Sequence, residues 1–161
     1  MRKGEKNILL GIVVFTIAVM SFKAWQVSNQ EEDPGIPFYS TASEELATKG
    51  SVLYRQFKCR DCHSLWGVRN VMQAVPTPAL DGMGSLRDEE WLFNYFSAET
   101  PQSILPSRLK KQYQMPSFAF LSEQDRRTLA KYIASLKVED WYLEELKKTE
   151  YERLTGKDYL Q

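Results

Sequence analysis

The residues best suited to bind a metal or a reactive cofactor lie together in one short stretch, KCRDCHS, at residues 58 to 64. The chain has two cysteines, Cys59 and Cys62, and one histidine, His63, and all three fall in this stretch. Two thiols three residues apart on a helical turn can each form a thioether bond to a different vinyl group of a porphyrin. The imidazole that follows can then bind the iron as its proximal ligand. The spacing Cys-x-x-Cys-His is therefore typical of covalent attachment of a c-type haem.

Three other uses of this cluster are open, and each has less support in the sequence. A structural zinc site takes four ligands, whereas the chain offers three thiol or imidazole donors. A thioredoxin-like redox pair is expected in a βαβ context, which the sequence pattern lacks. A disulfide between Cys59 and Cys62 would enclose only Arg60 and Asp61 and would be a poor structural staple. The sequence therefore predicts one haem c, attached through the two cysteines.

A methionine is the expected second axial ligand, because the chain has no second histidine. Met72 follows His63 too closely to pass easily around the edge of a porphyrin, and Met83 stands between two glycines. Met115 lies in YQMPSFAF, beyond a predicted helix, where Pro116 stiffens the chain. We therefore predict His63 and Met115 as the iron ligands. The alternative role for each methionine is to fill a gap in the hydrophobic core.

The order of helices and loops suits these ligand positions. Ser43 is the expected N-cap of a first helix that ends just before the cysteines. Ser85 and Asp88 have the spacing of a capping box before a second helix, and Ser122 and Asp125 have it before a third. Loops that contain proline and glycine separate the three helices. The sequence therefore predicts an all-α domain built around the haem.

Composition divides the chain into four predicted segments. The tail after the third helix is highly charged, ends at a stop signal, Gly156, and has an incomplete apolar stripe. It is either a solvated helix that lies against the domain or a contact surface for a partner subunit. The segments are a signal-anchor and transmembrane helix at 1–27, a tether at 28–42, the haem domain at 43–137 and a charged helical tail at 138–161.

The N-terminal segment has the composition of a membrane span. Ile8 to Phe22 contains no charged side chain, and Lys23 and Trp25 follow at the expected interface. A cleaved signal peptide is the alternative, but no suitable pair of small residues precedes a cleavage position. The basic residues before the span predict a cytoplasmic N-terminus. We therefore expect a single-pass protein of the bacterial cytoplasmic membrane, with the haem domain on its periplasmic side.

The charge of the chain bears on its partners. The formal net charge is zero, so no general basic field favours nucleic acid. Basic residues near the two predicted iron ligands form either a positive collar for an acidic partner or ordinary solvated charges. They are Lys58, Arg60, Arg108, Lys110 and Lys111.

Taken together, the motifs resemble a class I monohaem cytochrome c over about residues 43–137. The resemblance rests on CRDCH, TPAL, MPSF and the closing helix LSEQDRRTLAKYIASL. In that family a Gly-Pro-x-Leu segment follows the haem motif, and its proline carbonyl accepts the N–H of the proximal imidazole. Pro78 and Leu80 match this segment, with Thr77 in place of the glycine. The resemblance thus implies Pro78 as the partner of His63.

The resemblance implies further packing. In the family the first and last helices cross near a small residue and an aromatic residue, which here are Gly50 and Tyr54 against Tyr132. The anchor and the last helix also resemble haem subunits of respiratory complexes, including the membrane-anchored monohaem subunit of cbb3-type oxidases. Candidate contacts of the haem or its propionates are Trp66, Arg69, Trp91, Tyr95 and Tyr113.

The function predicted from these features is one-electron transfer between respiratory-chain components, by an electron carrier and not an enzyme. A His/Met-ligated iron has no open position, which favours electron transfer over O₂ binding or catalysis. The protein is either a shuttle on its tether or a fixed subunit of a quinol-oxidising or terminal oxidase complex. A haem-based gas sensor would need a ligand that leaves easily, and a peroxidase would need a distal histidine. The expected partners are redox proteins or respiratory-complex subunits.

Overall fold

The computed structural model describes residues 3–28, 34–68 and 77–159 of the chain. Its contacts divide the chain into two compact units, Met1–Gly35 and Ile36–Gln161. Arg69, Met72 and most of the predicted tether before Pro34 lie outside the described residues.

The first unit is a single long apolar helix, α1, over Lys3–Ser28. Its 26 residues correspond to about 39 Å at 1.5 Å per residue, which exceeds the thickness of a hydrocarbon core. Gly4–Ser28 is long and apolar enough to cross a membrane, with a mean hydropathy of 2.1. Large apolar side chains such as Phe15 and Met20 are 68% and 72% exposed. By length and composition, α1 is therefore a candidate membrane span.

The second unit is mostly helical, which confirms the predicted fold class. Single turns of 3₁₀ helix cover Cys59–Asp61, Pro101–Ser103 and Lys111–Tyr113. The longer elements are β1 (Phe38–Ser40), α2 (Glu44–Gln56), α3 (Met83–Leu86), α4 (Glu89–Ser97), α5 (Glu123–Ala134), β2 (Leu136–Val138) and α6 (Asp140–Thr155).

Two of the predicted helix starts are confirmed by their hydrogen bonds. The Ser43 hydroxyl accepts the Leu46 N–H at 3.3 Å at the start of α2. The Ser122 hydroxyl accepts the Asp125 N–H at 3.1 Å at the start of α5. Each bond satisfies a backbone donor that the first helical turn leaves without a partner.

The capping box predicted at Ser85 is wrong. Ser85 lies inside the one-turn helix α3, and its hydroxyl accepts the Val138 N–H at 3.0 Å. The helix α4 starts later, where the Asp88 carboxylate accepts the Trp91 N–H at 2.7 Å. The Ser85 hydroxyl thus bonds to a strand that is distant in sequence, and the spacing of Ser85 and Asp88 does not reveal this contact.

Part of the segment predicted as a tether forms a strand. β1 pairs antiparallel with β2, with Phe38 opposite Val138 and Ser40 opposite Leu136. The Glu139 N–H also donates to the Pro37 carbonyl at 2.8 Å. The end of this segment is therefore tied to the chain just after α5.

The core lies where α2 and α5 cross and α4 packs beside α5. Gly50 faces Tyr132 so closely that a Cβ at position 50 would lie 2.7 Å from the Tyr132 Cδ2. Tyr54, one turn later in α2, is also buried. The crossing of the first and last helices that the family resemblance implies is confirmed.

The tail helix α6 packs against the rest of the second unit and ends at Gly156, as predicted, where φ is 68°. The rings of Phe38 and Tyr142 pack edge to face with centroids 5.5 Å apart. Leu146 packs over Gly82, where a Cβ would lie 3.0 Å from the leucine Cδ2. The predicted apolar stripe includes Trp141, but this side chain is half exposed. The helix α6 thus packs against the domain, and a contact of its exposed side with a partner subunit stays a prediction.

Candidate haem site

The cysteine cluster lies in a tight turn at the end of α2. Lys58 adopts a left-handed conformation with φ 57°, and the 3₁₀ turn Cys59–Asp61 follows at once. The His63 N–H donates to the Cys59 carbonyl at 2.8 Å, which closes the turn. Cys59 is half-buried and Cys62 is exposed, and no disulfide joins them. The turn therefore presents two free thiols and the imidazole from one short segment.

Burial makes the Cys59 thiol a poor redox group. Removal from solvent raises its pKa to about 11, and the neighbouring Cys62 and Asp61 add to the effect. Thioredoxin-like cysteines show the opposite shift, because their function requires a thiolate. The zinc alternative also has no support, since no group of three or more His, Cys, Asp or Glu side chains is arranged to hold a metal ion in the ranges that the structure describes.

His63 is oriented by a hydrogen bond to the segment that the family resemblance indicates. Its Nδ1 lies 2.9 Å from the Pro78 carbonyl oxygen. Burial lowers the pKa of His63, although the Pro78 carbonyl acts in the opposite direction. A neutral imidazole that donates through Nδ1 keeps the Nε2 lone pair for a metal. An imidazole held in this way can bind a haem iron through Nε2.

Further hydrogen bonds fasten the Pro78 segment to the cysteine turn. The Thr77 hydroxyl donates to the Cys62 carbonyl, and the Leu80 N–H donates to the Ser64 carbonyl at 2.9 Å. The Tyr54 hydroxyl donates to the His63 carbonyl at 2.8 Å. The threonine that replaces the family's glycine thus supplies a bond that glycine lacks.

A cavity of about 1190 Å³ opens beside this turn. Its size exceeds the ~300–1,000 Å³ of ordinary ligand pockets, which suits a large planar group. All five residues predicted to bind the cofactor line it, namely Cys59, Cys62, His63, Pro78 and Met115.

Aromatic and aliphatic side chains form much of the cavity wall. Trp91 and Tyr95 stack with ring centroids 5.1 Å apart, and both line the cavity with Tyr113. Trp66, another predicted haem contact, is not part of the lining. Its backbone N–H donates to the buried Asp81 carboxylate at 2.6 Å, and its side chain is half exposed. Of the predicted aromatic contacts, three therefore reach the site.

Two methionines of the described chain line the cavity. Met115 belongs to the loop before α5, and its carbonyl accepts the Gln102 side-chain N–H at 2.8 Å. Met83 begins α3, and its N–H donates to the Leu80 carbonyl at 3.1 Å, close in sequence to Pro78. The sequence favours a core role for Met83, but its side chain reaches the same cavity.

A charged part of the wall was missed by the sequence analysis. Glu150 and Arg153 of α6 line the cavity together with Arg87, which precedes α4. Arg87 Nη2 lies 3.0 Å from Glu150 Oε1. The spacing of Tyr142, Leu146 and Glu150 on one helix face could have indicated that this face packs against the domain. The prediction for the tail instead considered only its incomplete apolar stripe.

The five residues of the basic set near the predicted ligands have exposed side chains. Lys58 and Arg108 also line the cavity. Both readings, a docking collar and solvated charges, are compatible with this exposure.

Comparisons with known proteins agree with the geometry. The cytochrome c family model matches residues 47–137. Cytochrome c oxidase subunit 2 of Alkalihalophilus pseudofirmus is 28% identical over 129 residues, which cover 75% of this chain and 36% of that protein. The chain thus spans about a third of the length of this relative. The family match includes the cysteine turn, Pro78 and Met115 and extends over more than half of the chain, which therefore belongs to the cytochrome c family of electron-transfer haem proteins.

Proposed function

We propose that the protein is a membrane-anchored one-electron carrier that serves respiratory-chain components on the outer face of the cytoplasmic membrane. The observation that carries the proposal is one cavity lined by a cysteine pair, an imidazole oriented by the Pro78 carbonyl, and two methionines. When bound, the haem iron supplies reversible one-electron oxidation and reduction. The other residues of the site would attach the haem and keep it in place.

The cysteine turn would attach and orient the haem. Cys59 and Cys62 would form the two thioether bonds, so that the group stays bound outside the cytoplasm. His63 would bind the iron through Nε2, because Nδ1 is occupied by the Pro78 carbonyl. The Tyr54 bond to the His63 carbonyl holds the backbone of the ligand in place. Fixed ligands change little between redox states, which favours fast electron transfer.

Met115 is the proposed second ligand of the iron. Its carbonyl is held by Gln102, and the loop then continues into α5 through buried Phe118. Met83 is the competing sulfur, but its short chain connection to Pro78 favours the side of the cavity on which His63 lies. A thioether stabilises Fe(II), so this choice predicts a higher reduction potential than two histidine ligands would give.

Anchorage in the membrane is supported by the length and composition of α1 and by the basic residues before its uncharged stretch. The similarity to an oxidase subunit supports a respiratory partner. A fixed subunit of an oxidase or quinol-oxidising complex is the second candidate. Purification in a mild detergent separates the two, since a fixed subunit co-migrates with other subunits and a shuttle does not.

The decisive experiment is an optical spectrum of the full chain made with haem-maturation machinery. We expect haem that survives acidified organic solvent and a weak near-infrared sulfur–iron band in the oxidised protein. Met115→Ala should abolish the band, whereas the matched variant Met83→Ala and also Met72→Ala should keep it. A colourless protein, or haem that the solvent extracts, would sink the proposed function. Loss of the band in Met83→Ala alone would move the ligand assignment to Met83.

A further inference from the structure

We propose that the tail helix α6 is part of the haem pocket and that Arg87 and Arg153, bridged by Glu150, bind a haem propionate. The inference rests on the proposed function, because it concerns how the same cavity holds its cofactor. The helix α6 lies beyond the 47–137 range of the family match. The contact would therefore be a property of this chain's own C-terminal segment.

The three side chains form a compact, largely buried cluster. Glu150 Oε1 lies 3.0 Å from Arg87 Nη2 and 4.0 Å from Arg153 Nη2. The side chains of Glu150, Arg87 and Arg153 are 11%, 21% and 27% exposed. One carboxylate thus serves two guanidinium groups and leaves one positive charge without a full counter-charge. Burying such a charge is costly unless an anion compensates it.

The charge of the whole cavity wall points to the same kind of ligand. Four cationic side chains face two acidic ones, an excess of two positive charges that equals the charge of two ionised propionates. The cationic residues are Lys58, Arg87, Arg108 and Arg153, and the acidic residues are Asp61 and Glu150.

The position of Arg153 also fits a haem carboxylate. Arg153 lines the same cavity as His63, the proposed proximal ligand. Arg87 lies over the Trp91 ring at 4.8 Å, which fixes its plane at the wall. Guanidinium groups fixed in this way suit paired hydrogen bonds to a carboxylate.

The end of α6 is built into this part of the wall. Leu154 lines the cavity one residue after Arg153. A Cβ at Gly156 would overlap the guanidinium of Arg108, so that side chain packs directly against the end of the helix. Arg108 thereby lies next to the carbonyl end of α6, where a cation is favourable.

The test is the midpoint potential of the purified full-length haem protein between about pH 5 and pH 8. A cation beside a propionate lowers its pKa, so its loss raises that pKa. In Arg153→Gln we expect the propionate to take up a proton within this range, with at least a tenfold gain in proton affinity. The potential should then fall as the pH rises, because the ionised carboxylate stabilises Fe(III). The wild type should be flat or should change at least one pH unit lower.

Two further variants separate propionate binding from simple anchoring of α6. Glu150→Gln keeps both guanidinium groups and should keep the wild-type pH profile. Arg127→Gln is the matched control, since Arg127 also bridges two carboxylates, Glu123 and Glu90, but is not part of the cavity lining. It should also behave as the wild type.

A wild-type profile in Arg153→Gln would overturn the inference, and so would equal changes in Arg153→Gln and Glu150→Gln. If Arg153→Gln yields no haem protein, Arg87→Gln is measured in the same way and the same criterion applies to it. A wild-type protein without covalent haem would instead refute the proposed function, so the two failures are distinguishable.

Discussion

The crossing of α2 and α5 offers a prediction in which two known effects oppose each other. In Gly50→Ala, the gain in helix propensity is about 0.5–1 kcal/mol for an ordinary helix interior. The structure adds a clash, because the new Cβ would lie 2.7 Å from the Tyr132 Cδ2 and closer still to the Tyr132 Cγ and Cβ. Carbon atoms in contact are about 3.5–4.0 Å apart, so the two helices must separate by about 1 Å.

The clash should outweigh the gain in propensity. The atoms that meet the new methyl group belong to the base of the tyrosine ring, and Tyr132 is only 4% exposed, so the ring has little freedom to move away. Overpacking of a buried site costs about 1–3 kcal/mol. After the gain in propensity is subtracted from the middle of this range, we expect a net loss of about 1 kcal/mol in the free energy of unfolding.

Urea unfolding of the purified haem protein, followed by circular dichroism, measures this loss. Val52→Ala is the matched control, since Val52 lies on the same helix with its side chain 51% exposed. That control should change the stability by less than about 0.5 kcal/mol. If Gly50→Ala is as stable as the wild type, or more stable, the argument that α2 and α5 need a glycine at their crossing is wrong.

Three more predictions concern hydrogen bonds that support the site. Asp88→Ala removes the cap on the Trp91 N–H and should lower the free energy of unfolding in urea by about 0.5–2 kcal/mol. Asp88→Asn keeps a side-chain oxygen as acceptor and should retain most of the wild-type stability. Equal losses of stability in the two variants would refute the capping role. Tyr54→Phe removes the bond to the His63 carbonyl and should cost about 0.5–1.5 kcal/mol in thermal unfolding, and an unchanged midpoint would contradict this. Arg126→Gln disrupts two bonds of 2.7 Å to carbonyls of the loop before α5. The sulfur–iron band should then disappear at a lower temperature than in the wild type, and a band that is equally heat-stable would show that this loop does not depend on the arginine.

Local chemistry explains which parts of the site could be predicted. Cys59, Cys62 and His63 are predicted to attach and bind the haem because of their spacing within one turn, which the sequence alone reveals. The caps at Ser43 and Ser122 are equally local, because each accepts an N–H three residues away. The apolar composition of α1 likewise needs no partner to be recognised.

Contacts between distant segments explain which parts could not be predicted. The Ser85 hydroxyl bonds to β2 and does not cap α4, although its spacing to Asp88 suits a capping box. The three residues of β1 carry too little pattern to be recognised as a strand before their partner is known. Met83 lines the cavity together with Met115, which is 32 residues away, and no local rule specifies that they meet.

The sequence by itself determined the helical class of this protein and predicted its cofactor, since helix starts and the attachment motif depend on residues a few positions apart. Only the tertiary structure decided the composition of the charged wall, because Arg87 and Glu150 come from segments 63 residues apart. Whether the charged side chains of α6 face solvent or a cavity depends on which distant segments pack against the helix. The physical difference arises when that face is buried, because its charges then need partners that water no longer supplies.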